Sequence, residues 1–360
     1  MAKLIFVGYL LIRTNIFGFI NANRLTFFDV PINVIADIFA PVLALVVSRI
    51  CIESKRKNYI VAYLIFLLLY FCWSYFATHS SIVGRIPRLS DHLSLISGLL
   101  VTFSVSRRFA KHVLLVVLVL SSCVFLLHSL LGVDIGYFRT IDGIEDSLKF
   151  ESSFLIYLFL AYRMREGRLN LMLMLLLFSA IFFSGFRSIF FAAVIAYLYV
   201  FWSRFTKDLR LLVLSMVLFL SPSVLRVVSA DTAITSRLIV NLHRFDLLVD
   251  KPFLGYGFVS KTSDLHAVTA SAALSRFDST VNVVDAGVLD VLLRFGILGG
   301  IIYVFLIKNI VFGGKAIVVE LFSGILLVCI TLSVLTYSFG LSSLGIIGGI
   351  MRTHSNREYA

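Results

Sequence analysis

Residues 112–131 read HVLLVVLVLSSCVFLLHSLL, and apolar runs of this kind recur along almost the whole chain. They constrain the architecture more than any other feature. A chain that is apolar over such lengths belongs in lipid, where the backbone must satisfy its own hydrogen bonds and helices do so within one segment. A helix crosses a hydrocarbon core of about 30 Å with roughly 20 residues. On that rule the 360 residues hold twelve candidate spans, at 4–21, 30–50, 59–78, 90–106, 112–131, 150–162, 169–184, 188–203, 209–228, 284–307, 316–335 and 338–351. The sixth and twelfth are short. Ala316 to Met351 is too long for one span, and Ser338-Phe339-Gly340 is the expected break. Composition agrees, with 14% charged residues against roughly 25% in soluble domains, and a mean hydropathy of +0.99.

The charges give an independent check. With the N-terminus in the cytoplasm, the inside loops carry Lys55-Arg56-Lys57, Arg107-Arg108 with Lys111, Arg163/Arg165/Arg168, Arg204/Lys207/Arg210, Lys308/Lys315 and Arg352/Arg357. Every one of those loops is basic, as the positive-inside rule requires. The net charge of +12 is therefore read as topology rather than as affinity for nucleic acid. The expected fold is an all-α polytopic membrane protein with about twelve transmembrane helices and both termini in the cytoplasm. Residues 1–228 form a bundle of about nine spans, 229–283 a large outer loop with an amphipathic helix, and 284–360 the C-terminal spans and tail. Cys51, Cys72, Cys123 and Cys329 fall in or beside apolar runs without a CxxC. They read as small buried hydrophobes, with no disulfide framework and no metal site. The first apolar run has no small-residue cleavage site and keeps Arg13 inside it, so it reads as a span.

The long outer loop departs from the charge bias, since it carries Arg237, Arg244, Lys251, Lys261 and Arg276. About 55 residues build little core of their own, so a cap folded on the bundle is expected. From Ser236 to Val249 the pattern is helical. Arg237, Asn241 and Arg244 share one face, and Leu238, Leu242, Phe245 and Val249 another. Pro252 ends the helix, and Gly255 and Gly257 allow a tight turn. Two readings are open: a helix floating on headgroups, or arginines aimed at a fixed phosphate. Arg187, in FFSGFRSIFFAA at the outer mouth between two spans, favours the second if it joins Arg237 and Arg244; alone it reads as a snorkelling anchor.

In VVDAGVLDVLLRFGILGG, Asp285 opens a span at the outer water boundary, while Asp290 and Arg294 are four apart and expected to pair. Gly296/Gly300 and Gly345/Gly349 form GxxxG pairs, read as close helix packing. Arg13 and Asp37 lie mid-span and can pair between the first two helices. His243 and His266 suit a general base by their titration range, or are ordinary loop histidines. The remaining histidines show no metal-ligand spacing, and Walker, HExxH and GxSxG motifs are absent.

The SGFRS hairpin, the loop helix running into KPFLGYGF and then DAGVLDVLLRFGILGG occur in that order. Together they resemble the O-antigen polymerase and O-antigen ligase superfamily, over residues 180–310. The resemblance implies a metal-independent glycosyltransferase of the GT-C type, without cofactor, that works on undecaprenyl-diphosphate-linked glycans. A chain-length regulator and a flippase in the same membrane are candidate partners. Ligases of this group carry a His-Asn pair where this chain has Asp285-Ala286, which favours a polymerase. By position the resemblance gives Arg187 and Arg237 as substrate-binding residues, joined by Arg244 from its helical register. Asp285 and then His243 are the catalytic candidates, as base. The alternatives are a ligase moving glycan to lipid A core, or a lipid-linked glycan transporter, which predicts repeated halves; none is visible here.

Overall fold

The structure is a computed structural model. It describes residues 1–14, 26–27, 30–48, 50, 52–78, 82–131, 144–166, 170–183, 187–201, 206, 245, 248–258, 287–313, 325, 335 and 338–351. Over these residues the protein is predominantly helical. In chain order it builds α1 (Ala2–Thr14), a two-residue antiparallel ladder of β1 (Thr26–Phe27) and β2 (Val30–Pro31), α2 (Ile32–Val47), α3 (Ser54–Thr78), α4 (Ile82–Phe103) and α5 (Arg107–Leu131). There follow α6 (Ile144–Glu166), α7 (Leu171–Phe183), α8 (Arg187–Phe201), α9 (Gly287–Phe312) and α10 (Ser338–Ile350). Each helix overlies one of the apolar runs marked in the sequence. The expected spans at 209–228 and, but for isolated residues, 316–335 lie outside the described residues.

Two helices, α3 and α9, are long and apolar enough to cross a membrane. Shorter apolar stretches occupy α2, α6, α7, α8 and α10. Large apolar side chains are exposed along the outer faces, among them Val46, Leu69, Phe76 and Ile301. Cys72 and Cys123 are free thiols on exposed surface. That corrects their reading as buried packing residues: each lies on the outward side of its helix.

The bundle packs around α4 and α6. Residues Phe154 to Ala161 of α6 are buried on every side, as expected of a helix apolar all round. α4 crosses α10 closely because small residues meet there. A Cβ on Gly98 would stand 2.5 Å from the Ser342 carbonyl oxygen, one on Gly345 would strike the Leu95 carbonyl, and one on Gly349 the Thr102 side chain. The Gly345/Gly349 pair thus does what its spacing suggests.

Where the backbone of α2 is interrupted, a neighbour repairs it. Pro41 lies inside α2 and has no N–H to give to the carbonyl of Asp37 one turn earlier. The Ser97 hydroxyl of α4 donates to that carbonyl instead, at 2.5 Å. The Asp37 carboxylate pairs with Arg13 of α1 and accepts from the Tyr9 hydroxyl at 3.0 Å. The pairing expected between the first two helices is therefore present, and it ties α1, α2 and α4 together.

Charged residues gather toward the two ends of the bundle. At one end Arg56 reaches the Val311 carbonyl at 3.2 Å and lies over the Phe103 ring, Arg107 donates to the Tyr162 hydroxyl, and Lys111 lies over the Tyr162 ring. At the other end are Arg13, Asp37, Arg85, Arg88, Asp91, Asp290, Arg294 and the turn 251–258. The candidate site is built at this second end.

Candidate functional site

The turn KPFLGYGF and the helix α9 form one unit. Gly296 breaks α9 with φ 66° and ψ −175°, a conformation essentially reserved for glycine. Without that break, the amides of Ile297 and Leu298 would bond to the carbonyls of Leu293 and Arg294 one turn earlier. The turn takes both places. Ile297 N–H donates to the Pro252 carbonyl at 2.7 Å and Leu298 N–H to Phe253 at 3.3 Å. In return Tyr256 N–H donates to the Leu293 carbonyl at 2.8 Å and Gly257 N–H to Arg294 at 2.7 Å. The next carbonyl, of Phe295, accepts from the Tyr70 hydroxyl at 2.8 Å. The groups released by the break are thus paired by protein, as buried backbone requires.

The turn has to be glycine-rich to come this close. Gly255 and Gly257 have positive φ. A Cβ on Gly255 would stand 2.5 Å from the Leu293 carbonyl oxygen, and one on Gly257 would run into Ser74. α3 holds the other side: Trp73 Nε1 donates to the Gly255 carbonyl at 3.0 Å, and Phe258 N–H donates to the Ser74 hydroxyl at 2.6 Å. Lys251 lies over the Tyr256 ring and reaches the Ala77 carbonyl. Burial, and then the nearby Asp250 carboxylate, push the Tyr256 phenol up, so it stays a neutral hydroxyl at physiological pH.

The Gly296/Gly300 pair is not a helix-packing motif. Gly296 is the break, Gly300 has only ordinary contacts at 3.4 Å and beyond, and it is Gly299 whose missing side chain makes room for the Tyr70 hydroxyl.

Around the docked turn lies a cluster of charges. Arg294 Nε donates to Asp290 at 3.1 Å, the expected pair. Arg88 Nη1 lies 3.4 Å from Asp91. Arg13 of α1 and Arg294 of α9, each paired with its own aspartate, also act on the Asp91 carboxylate through their charge. Arg85 donates to the Phe71 carbonyl at 2.8 Å and covers the Phe71 and Tyr75 rings. Pairing is how charges survive in an apolar bundle, and intramembrane charge is concentrated where a protein acts.

Beneath the turn, His92 is wholly buried. Its ring packs against Phe258, Phe295 and Tyr303 with centroids 5.0–5.5 Å away. Nδ1 lies 2.7 Å from the Tyr303 hydroxyl, and that hydroxyl donates to the Leu335 carbonyl at 2.5 Å. Nε2 has no hydrogen-bond partner among the described residues.

Of the residues marked in the sequence, Arg237, His243, Arg244 and Asp285 lie outside the described residues. Arg187 is the first residue of α8, but its side chain lies outside them. The loop helix is described at Phe245 and at Leu248 to Asp250, and it ends before Pro252, where the proline places its end. Arg85, Arg88, Asp91 and His92 were missed. Their charges depress hydropathy over 82–89, so that stretch reads as loop although the helix begins at Ile82. The available signal is helical spacing: Arg85, Arg88 and Asp91 recur every three residues and so lie on one side of α4. Among the described residues no group of three histidine, cysteine or carboxylate side chains is placed to hold a metal ion.

No protein-family model matches the chain, and no curated protein matches it.

Proposed function

We propose that this chain is a metal-independent glycosyltransferase of a bacterial inner membrane that polymerises undecaprenyl-diphosphate-linked repeat units into O-antigen or a related surface polysaccharide. The observation that carries the reading is the docking of KPFLGYGF into the break at Gly296. Two of the three segments on which the resemblance rests are hydrogen-bonded to each other. That makes sense of their joint occurrence.

In this reading twelve spans cross the membrane, both termini are cytoplasmic, and the end with the docked turn faces the periplasm. The hydroxyl of a new unit attacks the anomeric carbon of the growing chain, and undecaprenyl diphosphate departs. Charge developing on the diphosphate needs fixed cations aimed at it. Arg187, Arg237 and Arg244 are the proposed ligands, with forked donors suited to phosphate. A carboxylate or histidine takes the hydroxyl proton, with Asp285 and His243 as the candidates from sequence.

The test is the surface glycan of cells lacking the gene. A polymerase mutant keeps one repeat unit on its surface, a ligase mutant keeps none, and the same split is expected for Arg237→Ala. Wild-type chain lengths in Arg237→Ala remove that residue from the site, and bare lipid A core in the deletion assigns the chain to ligation.

A further inference from the structure

The Tyr303 hydroxyl has one proton, and its 2.5 Å contact with the Leu335 carbonyl uses it, since a carbonyl can only accept. Toward His92 the same hydroxyl must therefore act as acceptor, and the 2.7 Å contact with Nδ1 must be a donation from Nδ1–H. That fixes the tautomer of a neutral imidazole. Nε2 then carries a bare lone pair. It is fully buried and has no partner among the described residues, and a buried acceptor of this kind calls for a donor. A further observation bears on where the donor enters. One wall around the imidazole is Phe258, the last residue of the docked turn, whose ring stands 5.0 Å from it. The Phe258 backbone is pinned to Ser74, so its side chain is the part of that wall that can turn while the turn stays docked.

We propose that Nε2 of His92 is the acceptor for the incoming hydroxyl, with Phe258 as its shutter. This rests on the polymerase reading, and it places the base on α4 in place of Asp285 or His243. With the shutter open, the sugar O–H donates to Nε2. As the oxygen bonds to the anomeric carbon, its proton passes to Nε2, and the bond from that carbon to the diphosphate oxygen breaks with its electron pair leaving on the diphosphate. The imidazolium then gives its proton to water at the outer face. Tyr303 is a positioning residue, since it holds the ring through Nδ1.

The experiment compares the wild type, His92→Asn and His92→Gln in vesicles supplied with undecaprenyl-diphosphate-linked repeat units. Asparagine keeps an N–H where Nδ1 stands and removes the distal acceptor. Its kcat should fall about 100-fold or more, the lower end of what a general base supplies, with KM unchanged and the protein still folded at the assay temperature. Glutamine carries an amide oxygen toward the Nε2 position, which accepts a hydrogen bond but cannot take up the proton, so its kcat should stay as low as that of His92→Asn; recovery in His92→Gln overturns proton transfer to Nε2. His92→Asn that turns over like the wild type overturns the proposal, whereas a wild type that extends no chain overturns the polymerase reading instead. The shutter has its own readout, independent of turnover. Diethyl pyrocarbonate should modify His92 in the folded wild type, located by mass spectrometry, and modify it faster in Phe258→Ala. A His92 that stays unmodified in both proteins overturns the shutter.

Discussion

Replacing Gly296 with alanine tests the docking of the turn more sharply than removing the turn itself. The φ of 66° with ψ of −175° costs a residue with a side chain about 1–3 kcal/mol. The new Cβ would also strike the Phe253 carbonyl and the Leu254 amide, both backbone, so neither can swing away. An undocked α9 has an alternative that costs little: alanine favours helix, and the amides of Ile297 and Leu298 can return to the carbonyls of Leu293 and Arg294. Gly296→Ala should therefore release the turn and leave the bundle folded. Taking about 2 kcal/mol as the shift, the ratio of undocked to docked turn rises roughly 30-fold. Hydrogen exchange at Tyr256 and Gly257 reads this directly, since both amides are held by α9 carbonyls, and their exchange should speed up by about that factor. Trp73, whose indole donates to Gly255, should change its emission, read in a Trp202→Phe background. Gly300→Ala is the control, because its Cβ would meet only ordinary contacts. Unchanged protection of Tyr256 and Gly257 in Gly296→Ala would refute the reasoning that the break and the turn depend on each other.

Three further outcomes follow from the same contacts. Ser97→Ala leaves the Asp37 carbonyl without its donor and should cost about 1–3 kcal/mol; Pro41→Ala restores a helix amide and should cancel most of that loss in the double variant, measured by thermal unfolding in detergent. Arg13→Leu or Asp37→Leu alone strands a buried charge and should cost about 3–5 kcal/mol. The double Leu variant should regain most of that stability, since nothing charged remains to desolvate. Arg187→Lys should lower elongation without changing the amount of folded protein, because an ammonium lacks the planar fork; full activity would reduce Arg187 to an interfacial anchor.

The helices were legible because the apolar runs are long and their polar flanks abrupt, as at α3 and α5. The pairs Arg13–Asp37 and Asp290–Arg294 were legible too, since an isolated charge in an apolar run needs a partner and few are within reach. The start of α4 was not. Arg85, Arg88 and Asp91 lower the hydropathy of its first turns, and only the spacing of those residues shows that they belong to a helix. The role of Gly296 was misread for a related reason. GxxxG spacing says that small residues recur, while a break is specified by what docks into it, and the partner turn lies some forty residues away. His92 could not be singled out at all, because its orphaned Nε2 depends on Tyr303, Leu335 and Phe258 from three distant segments.

The central claim meets its most direct test in a reconstituted membrane. Purified protein in vesicles, given a labelled undecaprenyl-diphosphate-linked repeat unit and no other enzyme, should produce a ladder of chains that grow by whole units and release undecaprenyl diphosphate in step with each bond made. Labelled units that cross the bilayer or bind without lengthening would contradict the account and leave the docked turn and its arginines to serve transport.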